Sequence, residues 1–459
     1  MGRESSMDID MDNLLHNAAE RALTYLHTRD ERPVYPTPEA IAGLSALDTP
    51  LPERPSDPVA VLKLLDEVGA PATVASTGGR YFGFVTGGAL PATVAANWLA
   101  GAWDQNSFSL ASSPLAVAIE TIALRWLLDV LGLPADAGAA FVTGATMANF
   151  SGLAAARHAV LARAGWDVEA DGLFGAPPIT VVVGEEAHST LFKALGLLGL
   201  GRNRVVRVPV DGQGRMRADA FPSLSGPAIV CLQAGNVNTG AFDPLADLIA
   251  AAHAADAWVH VDGAFGLWAG AAPARAHLVA GVAEADSWAT DLHKWLNTPY
   301  DSGVAFVRDP EHLRGAMSIS AAYLPQEPVR EPLAYTPESS RRERGIEIWA
   351  ALRSLGRAGV ADLVERCCRH ATRFAEGLRS AGFTILNEVA LNQVLVSFGD
   401  DETTRRTIAA IQSDGTCWCG GTVWQGRAAM RISVSSWATT DEDVERSLAA
   451  MIRVARNLS

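Results

Sequence analysis

The chain has 459 residues, 49% of them apolar and 19% charged, and a net charge of −14. That length exceeds what one hydrophobic core organises, so two or three subdomains are expected. The acidic balance argues against nucleic acid or an anionic membrane as a partner, while leaving room for a local phosphate site. The five cysteines (Cys231, Cys367, Cys368, Cys417 and Cys419) are odd in number and lack Cys-x-x-Cys spacing. They predict free thiols in a reducing, cytoplasmic setting.

At the amino end, the first 25 residues show neither the basic nor the apolar region of a secretory signal. Met1-Gly2-Arg3-Glu4-Ser5-Ser6 fits the myristoylation pattern only loosely. Asp12 to Thr28 has helical periodicity in Leu14, Leu15, Ala18, Ala22, Tyr25 and Leu26, and is stopped by the proline-bearing run Arg32 to Pro38. An isolated amphipathic helix on such a stalk needs a surface to pack on, and a second subunit is the expected one. Another helix is predicted from Val59 to Gly69. The longest apolar stretch, Ser113 to Leu133, is interrupted by Glu120, Arg125 and Asp129, so no membrane span is expected.

From Tyr81 the pattern becomes α/β. Apolar, β-rich runs are predicted as strands at Phe141–Thr143, Ile179–Val183, Ala228–Leu232, Ala257–Val261, Ser287–Thr290 and Val304–Arg308. Helical stretches such as Asn149–Ala164 and Pro244–Ala255 separate most of them, which predicts a mainly parallel sheet covered on both faces. Ligands of such sheets gather at the strands' carboxyl ends. Beyond Pro310 come a loop rich in Pro and Glu (Pro325 to Glu338), a helix through Glu347–Leu355 and a smaller α+β module. That module holds a helix over Val360–Ala381, strands at Val394–Phe398 and Met430–Ser435, and a last helix over Asp441–Asn457 opened by Thr440 and Asp443. The expected division is 1–80 helical dimerisation segment, 81–309 large domain, and 310–459 lid loop and small domain.

Only three of the 37 basic residues are lysines: Lys63, Lys193 and Lys294. Arginine stays charged, whereas a lysine amine can lose its proton and act as a nucleophile. Lys294 follows a predicted strand and is flanked by Leu292, Trp295 and Leu296, a poor place for a solvated charge and a good one for an amine that meets an aldehyde. Thr143-Gly144-Ala145-Thr146 enters a helix after a strand, and its small residues, N–H groups and hydroxyl predict a phosphate cup. His188, just past Ile179–Val183, can stack on a ring or move a proton. Asp262 ends an apolar strand, where a carboxylate needs a cation such as a protonated pyridine nitrogen. Gly263 and Ala264 leave room for a flat ring. The 32 residues from Asp262 to Lys294 are the length of one helix plus one strand, so both can reach the same sheet edge. Together these are the groups that pyridoxal phosphate requires.

Through His260-Val-Asp262-Gly-Ala264, His293-Lys294-Trp295, and Ser113-Pro114 followed by Glu120, the chain resembles the group II pyridoxal-phosphate-dependent amino-acid decarboxylases. That family includes aromatic-amino-acid, histidine, glutamate and diaminobutyrate decarboxylases. The resemblance implies fold type I, a homodimer with active sites at the interface, and a small amino-acid substrate. It implies that Lys294 forms the Schiff base with the cofactor and Asp262 pairs with the ring nitrogen. His188 and Ala264 take the two ring faces, and Ala145, Thr146 and His293 the phosphate. No metal is expected.

Some positions depart from the family. Asp291 stands where the family often has a phosphate-binding Asn; it should repel a phosphate dianion unless it turns away, and is left out of the site. A cofactor-side Thr is replaced within Gly235 to Gly240, where Asn236 or Asn238 is the substitute. Gly78-Gly79 replaces an expected His-Pro. Tyr335 is the candidate proton donor of the loop. The expected reaction is decarboxylation to the amine through a quinonoid. The rivals are an aldehyde synthase, aldolase or aminotransferase on the same fold, and a non-catalytic cofactor-binding homologue. Phe108, Tyr81 and Phe82 suggest either an apolar substrate pocket or core packing.

Overall fold

The computed structural model describes residues 10–318 and 330–458. The Met1–Ser6 motif and the first part of the Pro325–Glu338 loop lie outside the described residues.

The first helix spans Met11–Thr28, with the Asp10 carboxylate capping Asn13 N at 3.1 Å. A second runs from Pro58 to Gly69 behind the cap of Asp57. Neither contains a buried residue. An Arg21–Asp66 ion pair at 2.8 Å ties them together.

Seven strands make the large sheet: β1 Gly138–Val142, β2 Thr180–Gly184, β3 Val206–Val208, β4 Ala228–Gln233, β5 Trp258–Asp262, β6 Ser287–Asp291 and β7 Gly303–Val307. Their order is β1-β7-β6-β5-β4-β2-β3. Every pairing is parallel except those of β7, which runs antiparallel to β1 and β6. Alternate residues of one strand enter different cores. Val182 and Val230 join the larger apolar cluster, whereas Val181, Val183, Ile229 and Cys231 join the second. Both faces are therefore covered, which explains the near-continuous apolar runs.

The apolar stretch after Ser113 is a helix, Pro114–Leu131, that packs on the sheet and buries Glu120 completely. The helices predicted over Glu347–Leu355 and Val360–Ala381 belong to one segment, Gly345–Ser380, broken at Gly356, whose φ of 60° suits a residue without Cβ. A second, antiparallel sheet has the order β10-β11-β9-β8, from Gly420–Trp424, Arg427–Ser433, Gln393–Ser397 and Thr384–Ile385. The last helix, Asp441–Arg456, opens with a full capping box between Thr440 and Asp443. Among the described residues no helix is long and apolar enough to cross a membrane.

Candidate active site

At the carboxyl ends of β1, β2, β4, β5 and β6 lies a cavity of about 250 Å³. Its lining includes Ala145, Thr146, His188, Asp262, Ala264, His293 and Lys294, so seven residues singled out in the sequence converge on one space. The sheet performs this convergence, because each residue follows or ends a strand.

Lys294 sits in the connection between β6 and β7, folded back by bonds from Leu292 N and His293 N to Ser302 O at 3.0 and 3.1 Å. Gly87 runs against it so closely that a Cβ there would stand 1.7 Å from the Lys294 carbonyl oxygen. Asp262 is 5% exposed. It accepts from Ala264 N at 3.2 Å and from Asn149 Nδ2 at 3.1 Å. His188 caps the following helix, its Nδ1 2.7 Å from Thr190 Oγ1. Burial lowers its basicity, with the Asp262 charge opposing. His293 accepts from Ser302 N at Nδ1, 3.1 Å, so a neutral ring carries its proton on Nε2. Burial lowers the basicity of His293 as well, against the pull of Asp291.

Asp291 corrects the sequence reading. Its carboxylate faces the cavity instead of turning away. It accepts from Ala145 N at 2.5 Å, lies 3.3 Å from His293 Nε2 and pairs with Lys294 Nζ at 2.7 Å. Like-charge repulsion toward a phosphate was the argument for leaving it out. Two basic side chains and the N-terminus of a helix hold it in.

Asn236 and Asn238 do not line the cavity. Asn236 Oδ1 accepts from Asn238 N and Thr239 N and braces its own turn, while Asn238 Oδ1 accepts from Thr422 Oγ1 of strand β10. Gln233, Gly235 and Val237 line it instead. Gln233 was foreshadowed only as a polar residue at the carboxyl end of an apolar strand. Tyr335 does not reach the cavity of its own chain. Its ring packs on the second core, with Arg330 stacked 4.6 Å from its centroid. Phe82 is buried edge-on against Phe374 and Tyr81 stacks on Trp418, so these two aromatics are core and not pocket wall.

The chemistry of the lining fits pyridoxal phosphate. An amine and a buried carboxylate share one cavity, and a helix N-terminus with Thr146 offers donors at one end. A side chain on Gly144 would press to 3.0 Å from the His293 ring, so glycine keeps that end open. Fold and site together define a fold type I pyridoxal-phosphate enzyme.

The sequence matches the pyridoxal-dependent decarboxylase conserved domain over residues 45–399. It is 27% identical to tryptophan decarboxylase 1 of Oryza sativa subsp. japonica, over 93% of this chain and 90% of that one. It is 28% identical to L-2,4-diaminobutyrate decarboxylase of Rhizobium meliloti, over 81% and 76%. The crystal structure of Oryza sativa TDC with PLP and tryptamine superposes with a TM-score of 0.89 at 23% identity, covering 100% of this chain and 99% of that one. The chain belongs to the pyridoxal-dependent decarboxylase family: it is an amino-acid carboxy-lyase whose cofactor is pyridoxal phosphate.

Proposed function

We propose that the enzyme removes the α-carboxyl group of an L-amino acid, releasing the amine and carbon dioxide, with Lys294, Asp262 and His188 as the working residues. The observation that carries this reading is the placement of Lys294 and Asp262 on the wall of one buried cavity. The cofactor, when bound, supplies an aldehyde for amines and a ring that accepts the electrons left at Cα.

Lys294 would hold the cofactor through its amine. Asp262 keeps a proton on the ring nitrogen, because a buried carboxylate favours the cation it faces. His188 covers one face of the ring and Ala264 the other. Thr146 would hold the phosphate end, joined by Ala145 N and His293 where Asp291 yields them. Turning the carboxyl group perpendicular to the ring would be a matter of orientation, set by the residues that line the cavity.

We place the enzyme in the cytoplasm, on its free, buried cysteines. We propose that it works as a homodimer, on the unburied apolar faces of its first helices.

A panel of L-amino acids assayed together for carbon dioxide, amine, aldehyde and peroxide tests the reaction. Amine and carbon dioxide in equal amounts are expected; aldehyde with peroxide, or no carbon dioxide, would replace decarboxylation with another reaction on this fold. Borohydride treatment of the holoenzyme should place a pyridoxyl label on Lys294, and a label on Lys63 or Lys193 would refute the assignment. In Asp262→Asn, kcat should fall by roughly 100-fold or more with a smaller change in KM, as when a preorganised charge is removed.

A further inference from the structure

Asp262 is the last member of a hydrogen-bonded chain that runs through the interior away from the cavity. Asn149 Nδ2 donates to Asp262 Oδ2 at 3.1 Å. The Asn149 Oδ1 lies 2.9 Å from His260 Nε2. His260 Nδ1 lies 2.8 Å from Ser287 Oγ, which accepts from Trp258 Nε1 at 2.9 Å. Asn149, His260 and Ser287 are fully buried, and Trp258 is 5% exposed. The imidazole is tightly held: a Cβ on Gly152 would approach its Cε1 to 2.8 Å.

The two ends settle the direction of every bond. An indole N–H can only donate and a carboxylate can only accept. Ser287 therefore receives the Trp258 proton and turns its own toward His260 Nδ1. The imidazole keeps its hydrogen on Nε2 and donates it to Asn149 Oδ1, which leaves the amide N–H₂ facing Asp262. In the other tautomer, Nε2 would be a bare acceptor facing the amide oxygen. The amide would then have to turn over, setting its oxygen against the Asp262 carboxylate. Burial pushes His260 down to about 3, so the ring stays neutral and adds no charge of its own.

We infer that Asn149, His260, Ser287 and Trp258 are positioning residues for the cofactor's ring nitrogen. By a one-way series of donors they orient the Asp262 carboxylate. A carboxylate fed by a fixed donor stays an acceptor and holds its geometry. The bond at its Oδ2 comes from Asn149, 113 residues away in sequence, and the His260–Asn149 contact holds that donor in place. The inference rests on the reading that Asp262 faces the ring nitrogen.

The test is cofactor binding to the apoenzyme, comparing pyridoxal phosphate with an analogue whose ring nitrogen is replaced by carbon. Wild type should prefer the natural cofactor, and Asp262→Ala should abolish that preference. His260→Leu should cut it roughly tenfold or more, the loss typical when the partner orienting a functional ligand is removed. Binding of the carbon analogue should barely change. His260→Gln, whose amide nitrogen stands near the position of Nε2, should restore most of the preference.

If His260→Leu weakened both cofactors equally, or kept the wild-type preference, the relay would be overturned while the Asp262 reading stood. If wild type and Asp262→Ala showed no preference, the Asp262 reading would fall and the relay with it. Should His260→Leu not fold, Ser287→Ala decides. A reduced preference supports the relay, and an unchanged one overturns it.

Discussion

Lys294 Nζ stands 2.7 Å from Asp291 Oδ2, so the amine to which we assign the cofactor carries its own counter-ion inside the cavity. The same carboxylate takes the Ala145 N–H at the helix N-terminus, a donor that a phosphate would use. On the proposed assignment Asp291 stands between the groups that would take the two ends of the cofactor, and its charge would oppose that of the phosphate. Asp291→Asn keeps the shape and removes the charge. Pyridoxal phosphate should bind the variant more tightly, by roughly tenfold for one partly screened charge pair. Unphosphorylated pyridoxal should show no comparable gain. Weaker binding of the phosphorylated form would mean that Asp291 serves the phosphate end and does not oppose it.

Tyr335 is packed away from its own chain's cavity beneath Arg330, which also reaches the buried Glu120 at 3.3 Å. Tyr335→Phe removes the hydroxyl and leaves the ring stack. The ratio of amine to aldehyde should stay at the wild-type value, with only a small change in stability. Product analysis on a confirmed substrate checks this. A shift toward aldehyde and peroxide would mean that the phenol serves the cavity of another subunit.

The strand ends were readable in the sequence because a strand buried on both faces has little choice but apolar residues, and a polar residue at its end stands out. Asp262 and His188 were found on that ground, and Lys294 on the scarcity of lysine and its apolar flanks. The Pro114–Leu131 helix was read only as a membrane-span candidate, because a buried apolar helix has no polar face to mark its period. Strand β10 opens with Gly420-Gly421 and carries little β signal of its own; pairing with β11 supplies the rest. Asp291 was misjudged because repulsion from a phosphate can be argued from sequence, whereas His293, Lys294 and Ala145 N converging on it cannot. The same holds for Asn149 and His260, which meet only because the Ala145–Arg163 helix crosses β5 and β6.

The first two long helices expose apolar faces. Leu15 is 58%, Val61 50% and Leu65 57% exposed, and Trp98 and Trp103 of the Pro91–Trp103 helix stand nearby at 46% and 45%. Ala22, Tyr25, Leu26, Leu62, Leu65 and Trp98 border a largely apolar groove of about 470 Å³ between these helices. A surface of this kind on a chain of −14 net charge calls for a protein partner, and we assign it to a second copy. Removing residues 1–36 should therefore produce aggregation or loss of the dimer, followed by light scattering and sedimentation. A well-behaved, fully active monomer after truncation would contradict the assignment.

Glu343 gives the fold a pH dependence of its own. The side chain is 2% exposed, with Oε1 accepting from Gly345 N and Oε2 without a partner among the described residues. Burial first, and then the charge of Glu120, push its carboxyl up to about 8; Ser107, then Arg341 and Gly345 N, work in the opposite direction. The unfolded chain loses this proton in the ordinary carboxylate range, so between that range and about 8 the folded state binds more protons. Stability is then greatest below the window and falls as pH rises through it. Glu343→Gln keeps the shape and cannot ionise, so its advantage over wild type should grow from pH 5 to pH 8, by up to roughly 1 kcal/mol per pH unit. Denaturant titrations of both proteins at the two pH values measure the difference. Parallel pH profiles would show that Glu343 is already ionised in the folded protein, with Arg341 outweighing its burial.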